Sequence, residues 1–430
     1  MVGLLSLPLR AVEISFHAAR HGLRWSGRSL KRRLTGRGPS SQRLFGELIT
    51  DLAESLGATF VKMGQILSSR PDLLPPEVIA PLSRLQENVR PFDARRVPRL
   101  LERAFGRPFD QLFEDFDLDP LSAASIAQVH SALLSDGRRV AVKIRRPGLE
   151  RKVRDDFRLL GLFAAAVDWL PAMRTVPLRM LIDEIGGPVR EQLDLAREAE
   201  NNRRFRKNFE GADYVRFPVL VEELCCESVL TMELLEDLKK VDDQTVPQEE
   251  RVVAATAGLR GLYRMIFHDG FVHADMHPGN VFLRQWGEFI ILDLGLVAAL
   301  DDDDLQHFVD FFFGMVNNKG RECARVVIDT AIHLTADFDR EAFDQAMIEM
   351  IDSRAKMKAS DFEVSGFAFD LFNTQRRHGV RGSTKFTMVL LSLIVFEGIV
   401  KQLDPERDFQ SEARGYLVAA KFRRRLAAAG

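Results

Sequence analysis

The chain has 430 residues, and its apolar and charged fractions, 46% and 28%, are those of an ordinary globular protein. The formal net charge of −2 excludes a bulk attraction to nucleic acid. Three cysteines are too few for a disulfide framework, so a reducing compartment is expected. Charge is unevenly placed, because residues 1–43 carry nine Lys or Arg and a single acid, Glu13.

Residues 1–40 predict a basic leader that is partly helical. Leu5, Leu9, Val12 and Phe16 recur at helical spacing, and arginines and lysines follow them. Such a helix suits an anionic membrane surface. A solvated tail or a helix packed on the domain fits the pattern equally well.

No transmembrane span or cleaved signal peptide is predicted. The longest apolar stretches, residues 159–173 and 388–396, are shorter than the roughly 18–20 residues that a span needs, and Asp168 interrupts the first. Both stretches are therefore expected to be buried helices, and any membrane contact is expected to be peripheral.

Helices are predicted for residues 41–112. Apolar residues recur every four positions from Leu44 to Phe60, and one helix is expected to continue through Lys62 until prolines break the pattern after Arg70. On physical grounds alone this segment is a helical hairpin with Lys62 on its surface.

Residues 113–148 change to a strand pattern, with a turn at Asp136-Gly137. Lys143 lies in the β-branched run VAVK, where a lysine is costly unless it is paired; it matches the strand lysine that holds ATP phosphates in kinases. The loop that would cover the phosphates is Ser122–Ser125, with alanines where protein kinases have glycines. Because alanine disfavours positive φ, this loop is expected to be stiffer.

A helical insertion at residues 149–183 precedes an amphipathic helix predicted from Glu191 to Phe209. Glu198 in this helix is the candidate carboxylate that orients Lys143, and a solvent-facing glutamate is the alternative.

Residues 217–233 predict two strands joined by a turn, and residues 248–270 predict a helix. Between them, Met232-Glu233-Leu234 falls where a kinase hinge presents backbone groups to adenine. Glu233 is therefore a candidate nucleotide-binding residue.

The segment from Phe271 to Leu296 carries the strongest chemical signal. Asp275 follows a histidine by two positions, Asn280 comes five residues later, and Asp293 opens the triplet DLG after a predicted hairpin. Phosphoryl transfer needs a carboxylate near the attacking hydroxyl, and an amide oxygen and a second carboxylate on Mg2+. The sequence therefore predicts ATP and Mg2+ as cofactors, with Asp275 catalytic and Asn280 and Asp293 as metal ligands.

With these residues in view, the chain resembles the UbiB/AarF/ADCK family of atypical, protein-kinase-like proteins over roughly residues 45–420. The motifs that carry the resemblance are KMGQ with SSRPDLLPPEV, SAASIAQVH, VAVK, REAEN, HADMHPGN, DLG and EGIVKQLDPERD.

The resemblance implies an α+β fold, a two-lobed kinase-like domain with a helical KxGQ extension packed on the active site. Its expected parts are a leader at 1–40, the extension at 41–112, an N-lobe at 113–235 and a helical C-lobe at 236–425. Lys62 and Gln65 would reach the nucleotide site and block peptide access. The candidate cofactor-binding set is Lys62, Gln65, Ala123, Ala124, Ser125, Lys143 and Glu233, and the catalytic set is Asp275, Lys143 and Glu198.

The family implies an atypical kinase or ATPase that supports isoprenoid-quinone biosynthesis or lipid-precursor handling, in the cytoplasm and peripherally on a membrane. A lipid or quinone precursor and proteins of a biosynthetic complex are the expected partners. One departure is Gln192, where the family has the Glu of an ExD pair with Asp194. A kinase with a defined protein or small-molecule acceptor and a catalytically silent, nucleotide-switched scaffold remain alternatives. No A-P-E triplet follows DLG, so a peptide-docking segment is not expected.

Overall fold

The computed structural model describes residues 6–36, 38–71, 73–85, 91–167, 178–355 and 363–427. The chain folds into two compact units. The first contains residues 1–199 and 219–234, and the second contains residues 200–218 and 235–430. Leu5 of the predicted leader and the centre of the predicted insertion, residues 168–177, lie outside the described residues.

The helices in chain order have the following bounds: α1 Ser6–Thr35, α2 Ser41–Leu56, α3 Ala58–Ser68, α4 Pro76–Leu82, α5 Val97–Phe105, α6 Leu149–Val167, α7 Leu178–Gln192, α8 Leu195–Asn208, α9 Gln248–Arg264, α10 Asp302–Val316, α11 Gly320–Asp329, α12 Arg340–Ala355, α13 Val364–Arg377, α14 Thr384–Leu403 and α15 Phe409–Ala427.

The strands are β1 Asp115–Phe116, β2 Ser122–Ala123, β3 Ala127–Leu133, β4 Arg139–Arg145, β5 Val215–Arg216, β6 Val229–Glu233, β7 Lys239–Lys240, β8 Phe271–His273, β9 Val281–Arg284, β10 Glu288–Ile291, β11 Val297–Ala299, β12 His333–Leu334 and β13 Val380–Arg381.

The first unit contains an antiparallel sheet in the order β1-β3-β4-β6, with β2 also paired to β3. Val142 and Ile144 of β4 pack with Val97 and Leu101 of α5 in one apolar cluster. Of the two strands predicted between 217 and 233, only β6 forms. The residues before it contribute an isolated bridge from Leu220 to Met232 and a 3-10 turn.

A helical layer, α1 to α4, completes the N-terminal part of the first unit. The prediction of one helix from Leu44 through Lys62 is wrong, because the chain breaks at Gly57, between α2 and α3. Gly57 has a φ of +89°, which an L-residue rarely adopts. The four-residue spacing of apolar side chains happens to continue across this break. Gly57 is the one local sign of it in the sequence.

The predicted helix from Glu191 to Phe209 is also interrupted. α7 ends at Gln192 and α8 begins at Leu195. The side chain of Asp194 accepts a hydrogen bond from Ala196 N at 3.0 Å, which is the geometry of an N-terminal cap. A capping aspartate therefore starts a new helix inside a pattern that is amphipathic throughout.

α1 is a continuous helix that packs on α2 and α6. Arg10 Nε donates to Asp156 Oδ1 at 2.6 Å, and Arg10 Nη2 donates to Leu56 O at 2.9 Å. Both members of this ion pair are buried, and removing one partner of such a pair is strongly destabilising. Of the three alternatives for the leader, the structure supports a helix packed on its domain, although one side of α1 stays exposed.

In its described residues, the second unit combines helices with three small sheets. β5, β10, β9 and β7 form one sheet, β11 pairs with β8, and β12 pairs with β13. α9 continues as a π-helical turn, Met265–Asp269, that ends at Gly270 with φ +57°. The predicted hairpin is present as β9 and β10, and Trp286 occupies its turn with φ +67°.

Among the described residues, α14 is the one helix long and apolar enough to cross a membrane by length and composition. It extends well beyond the nine-residue stretch 388–396 recognised in the sequence, and 56% of its most apolar window is buried. Leu390, Leu393 and Phe396 belong to the apolar core of the second unit. Packing therefore accounts for the apolarity of α14.

Candidate functional site

Lys143 and Glu198 form a buried ion pair in the first unit. Lys143 Nζ lies 2.8 Å from both carboxylate oxygens of Glu198, and the two residues are only 7% and 3% exposed. β4 supplies the lysine, opposite Val129 and Leu230 in the ladders, and the N-terminal half of α8 supplies the glutamate. The pairing that the sequence proposed is therefore present, and the solvent-facing alternative for Glu198 is excluded.

The alanine-rich loop follows β2 as a tight turn. Ala124 N donates to Ala127 O at 2.8 Å, and Ser125 between them is buried. Among the described residues, positive φ at residues other than glycine occurs at Asp237, Trp286 and Asn318, and at no position of this loop. The loop thus has a backbone that alanine adopts without strain. Its greater stiffness relative to a glycine-rich loop stays a prediction.

Arg146 holds this loop, and sequence reasoning missed it. Its Nε donates to Ala124 O at 2.9 Å, and its backbone N donates to Ile126 O at 2.8 Å. Burial lowers the pKa of the Arg146 guanidinium. The only sequence signal was the double arginine after VAVK, which any strand end could carry.

The KMGQ segment lies on α3, and its Lys62 is buried, contrary to the surface position expected on physical grounds alone. A Cβ on Gly64 would overlap Leu85 Cδ1, so any larger residue at this position would force the Leu85 side chain to move. Gln65 Nε2 donates to Leu85 O at 3.3 Å, and its buried Oε1 has no hydrogen-bond partner in the described part of the chain. An unpaired buried amide oxygen is costly and marks a position that a ligand or water can satisfy.

α3 and the alanine-rich loop pack against the same apolar cluster of the first unit. Met63 and Ile66 of α3 and Ile126 of the loop contact side chains of α6 and α7, among them Phe157 and Val189. The fold therefore brings two motifs together that lie about 60 positions apart in the sequence. A role for Lys62 and Gln65 at the nucleotide stays a prediction.

Glu233 ends β6 and is held by the chain before it. Glu233 N donates to Val219 O at 2.8 Å, and Glu233 Oε1 accepts from Val219 N at 2.9 Å. Its amide N–H is thus engaged and is not the group that would meet adenine. Leu234 N is likewise bonded, to Arg139 O at 3.1 Å.

In the second unit, two backbone hydrogen bonds and a strand pairing join residues 271–280 to the DLG segment, residues 292–297. Ala274 N donates to Leu296 O at 3.0 Å, and Leu292 N donates to Asn280 O at 3.0 Å. β8 pairs with β11 directly beyond these contacts, with His273 opposite Val297. The two loops on either side of the hairpin are therefore parts of one framework.

His273 completes this framework from a fully buried position. Its Nε2–H donates to Asp293 O, and its Nδ1 accepts from Asp275 N at 3.1 Å. Burial lowers the pKa of His273, so the neutral imidazole, with its proton on Nε2, is the form that makes both bonds. One side chain thereby fixes the backbone of both acidic motif residues.

Asn280 and Asp293 supply the donor atoms that Mg2+ prefers. Asn280 Nδ2 donates to Asp275 O at 2.9 Å, so the amide oxygen is the atom that could bind a metal, and Asp293 Oδ1 accepts from Gly295 N at 3.0 Å. Mg2+ takes oxygen ligands and is usually held by one or two protein groups together with water and phosphate oxygens. The described residues contain no cluster of three or more His, Cys, Asp or Glu, and a site of this class needs none.

Asp275 is half-exposed, so its carboxylate is accessible to solvent. Its Oδ2 lies 4.0 Å from His277 Nε2, a separation at which a protonated histidine would attract it. The Asp275 carboxylate is thus partly exposed to solvent, while hydrogen bonds with His273 and Asn280 fix the backbone of the residue.

Two further residues support the second-unit motifs and were not found from the sequence. Asn201 Nδ2 donates to Leu294 O at 2.9 Å, and the Ser392 hydroxyl donates to His273 O at 3.0 Å. Asn201 stands in the REAEN motif, three residues after Glu198, but the sequence does not indicate its partner, Leu294. Ser392 lies within an apolar helix, and no sequence signal connects it to His273.

The structure also accounts for Gln192. It is buried, and its Oε1 has no hydrogen-bond partner among the described residues. The neighbouring Glu191 does not replace the missing acid, because it is exposed and pairs with Arg197 at 3.2 Å. A carboxylate at this buried position would carry an unpaired charge, which costs more free energy than the neutral amide of Gln192.

Comparisons with known proteins agree with these motifs. Residues 84–327 match the family model described as the ABC1 atypical kinase-like domain, and residues 347–408 match the UbiB helical domain. Among curated proteins, the probable protein kinase UbiB of Marinobacter nauticus is 32% identical over 86% of this chain and 69% of its own length. The probable protein kinase UbiB of Tolumonas auensis is 31% identical over 93% of this chain and 75% of its own length.

A solved structure supports the fold. The Mycobacterium tuberculosis protein Rv3197, in complex with erythromycin, aligns with a TM-score of 0.54 at 22% identity, covering 79% of this chain and 87% of that protein. The predicted α+β, kinase-like fold is confirmed by this likeness and by the ABC1 domain. The chain belongs to the UbiB family of ABC1 atypical kinase-like proteins.

Proposed function

We propose that this protein binds ATP with Mg2+ and catalyses phosphoryl transfer from it, as an atypical kinase or ATPase. The observation that carries the proposal is the buried Lys143–Glu198 pair. Burying two charges costs several kcal/mol per ion, by order of magnitude, before their attraction is counted. Two apolar side chains would fill the same space at a lower free-energy cost. We therefore assign the Lys143 ammonium group a function, which is to bind the phosphates of a polyphosphate.

The other residues take roles that their geometry fits. Lys143, oriented by Glu198, contacts the phosphates, and the turn at Ala123, Ala124 and Ser125 covers them. Asp275 orients or deprotonates the attacking water or hydroxyl. Asn280 and Asp293 hold Mg2+, which neutralises charge that develops on the phosphates.

The proposed setting is isoprenoid-quinone biosynthesis of the ubiquinone type, or the handling of its lipid precursors at a membrane surface. The family assignment supports this setting, since the curated relatives carry the UbiB name. Peripheral association is supported by α1, which exposes both basic and apolar side chains. The proposed partners are ATP, a lipid or quinone precursor and proteins of the same biosynthetic process.

The test measures nucleotide binding and Mg2+ dependence with matched controls. Lys143→Ala should abolish ATP binding, whereas Lys240→Ala, which removes an exposed lysine, should leave it unchanged. Asp293→Asn should remove the Mg2+ dependence of ATP binding and turnover, whereas Asp303→Asn, an exposed acid on the first turn of α10, should not. Unchanged behaviour of both motif variants would reject the proposal.

A catalytically silent, nucleotide-switched scaffold is the second candidate. The turn held by Arg146 favours it, because a tight alanine turn is less flexible than a glycine-rich loop. Gln192 also favours it, because an amide stands where the family has a carboxylate. Tight ATP binding with no turnover under any condition would support it. Transfer of the γ-phosphate to a defined protein or small molecule would instead support a kinase with a true acceptor.

A further inference from the structure

α1 carries a stripe of exposed apolar side chains along its outer face. The six members are between 58% and 78% exposed: Leu9, Val12, Phe16, Leu23, Leu30 and Leu34. Their spacings of three, four and seven residues place them within an arc of about 60° on a helix of 3.6 residues per turn. The stripe is therefore narrow and continuous, and it runs about 37 Å along the helix axis at 1.5 Å per residue.

The opposite side of α1 is occupied by the first unit. Arg10 and His21 are buried, and Arg28 pairs with Glu47 at 2.6 Å. These three residues lie within about 20° of each other around the helix and more than 90° from the stripe. The stripe consequently faces away from the unit on which α1 packs, and contacts within that unit do not explain its apolarity.

Exposed basic residues border the stripe. Arg20, Arg24 and Lys31 lie along one edge, and Arg33 lies beyond the other. The one acid on α1, Glu13, is paired with Arg10 at 2.7 Å. An apolar line with cationic borders is complementary to a surface that offers hydrocarbon beneath anionic headgroups.

A second copy of the chain is a poorer occupant. Helix pairing needs apolar residues at two positions of every heptad. If Leu9, Phe16, Leu23 and Leu30 form one line of the heptad, the second line is Val12, Ala19, Ser26 and Arg33. A pair of such helices would also bring the basic borders of two copies together.

We propose that the outer face of α1 is the membrane-docking surface of this protein, and that it lies flat in the headgroup region of an anionic leaflet. The side chains of the stripe enter the acyl boundary, and Arg20, Arg24 and Lys31 contact lipid phosphates. The first unit is thereby attached to the membrane through the docked side of the same helix. This inference names the lipid-facing element of the proposed membrane setting, but it does not require ATP turnover.

The test is flotation of the full chain with phosphatidylcholine vesicles that either contain or lack phosphatidylglycerol. The variant Phe16→Glu/Leu23→Glu places two charges in the stripe, and Ala18→Glu places one on an exposed position of α1 about 120° or more from the stripe. Wild type and Ala18→Glu should float with the anionic vesicles and much less with the neutral ones. The stripe variant should lose at least about tenfold in partitioning, because charged groups do not enter the acyl boundary.

Equal flotation of the stripe variant, or failure of the wild type to bind anionic vesicles, would overturn the proposal. A wild-type dimer in sedimentation that becomes monomeric in the stripe variant would also overturn it, in favour of a second copy on this face. ATP affinity of each variant, measured without vesicles, reports the fold. The two measurements are independent of each other. Loss of flotation with unchanged ATP affinity bears on the docking surface alone, and loss of ATP affinity bears on the phosphoryl-transfer site or the fold.

Discussion

The Lys143–Glu198 pair can be tested by a double-mutant cycle. Lys143→Met and Glu198→Leu each remove one charge of the pair, and the charge that remains, buried at 7% or 3% exposure, loses this ion-pair contact. Breaking a buried pair in this way costs about 3–5 kcal/mol. The double variant removes both charges and leaves an apolar contact of similar volume, which is expected to lie within about 2 kcal/mol of the wild type. The coupling free energy is then about 4 kcal/mol or more.

Native-state amide hydrogen exchange, followed by mass spectrometry on peptides from β4 and α8, measures the opening free energy of this region directly. A matched control is the Lys319–Glu322 pair, which has the same 2.8 Å separation but 49% exposure of each side chain. Glu322→Gln should change local stability by no more than about 1 kcal/mol. A coupling free energy for Lys143 and Glu198 of no more than about 1 kcal/mol, the size of the effect expected at the exposed control pair, would refute the argument that burial sets the strength of this pair.

Three further predictions follow from particular contacts. Gly64→Ala should destabilise α3 and its neighbours by about 1–3 kcal/mol in a thermal or exchange measurement, since its Cβ would meet Leu85 at 2.2 Å. Gly161→Ala on α6, which has open space, should instead stabilise by about 0.5–1 kcal/mol; equal effects of the two would contradict the packing. Burial lowers the pKa of His273, so the unfolded chain binds a proton near its ordinary pKa of about 6.5 while the folded chain does not. Stability should therefore be full above about pH 6.5 and fall below it, by up to about 1.4 kcal/mol per pH unit. His273→Gln should flatten this dependence in denaturant titrations, and an unchanged slope would count against it. Asn201→Ala removes the bond to Leu294 O, worth about 1 kcal/mol, and should raise the half-saturating Mg2+ concentration several-fold without changing metal-free ATP binding.

The chemistry-bearing residues could be found from the sequence because their spacing is local. His273, Asp275, Asn280 and Asp293 lie on one short segment around a hairpin, and that hairpin is present as predicted. The Lys143–Glu198 pair spans 55 residues, and it was predicted because a buried strand lysine requires a partner.

Other features depend on contacts that no local pattern records. The break at Gly57 and the cap at Asp194 interrupt helices whose periodicity continues across them. Arg146 and Ser392 donate hydrogen bonds to backbone carbonyl oxygens of residues distant in the sequence. Every residue has such an oxygen, so the identity of the partner's side chain does not reveal the bond. The burial of Lys62 likewise follows from tertiary packing of α3.

Membrane features were partly visible in the sequence. The helical spacing of Leu9, Val12 and Phe16 was recognised, but the sequence left open which face would pack and which would stay exposed. Arg10 decides this, because its ion pair with Asp156 turns the apolar line outward. A charged residue thus sets the orientation of an amphipathic helix.

The most direct test of the proposed function is ATP hydrolysis by the purified full chain, with and without Mg2+, in wild type, Asp293→Asn and Asp303→Asn, each with and without phosphatidylglycerol vesicles. We expect Mg2+-dependent turnover in wild type and Asp303→Asn, and turnover at the blank rate in Asp293→Asn. Equal turnover in all three proteins, or a wild type that binds no ATP, would contradict it.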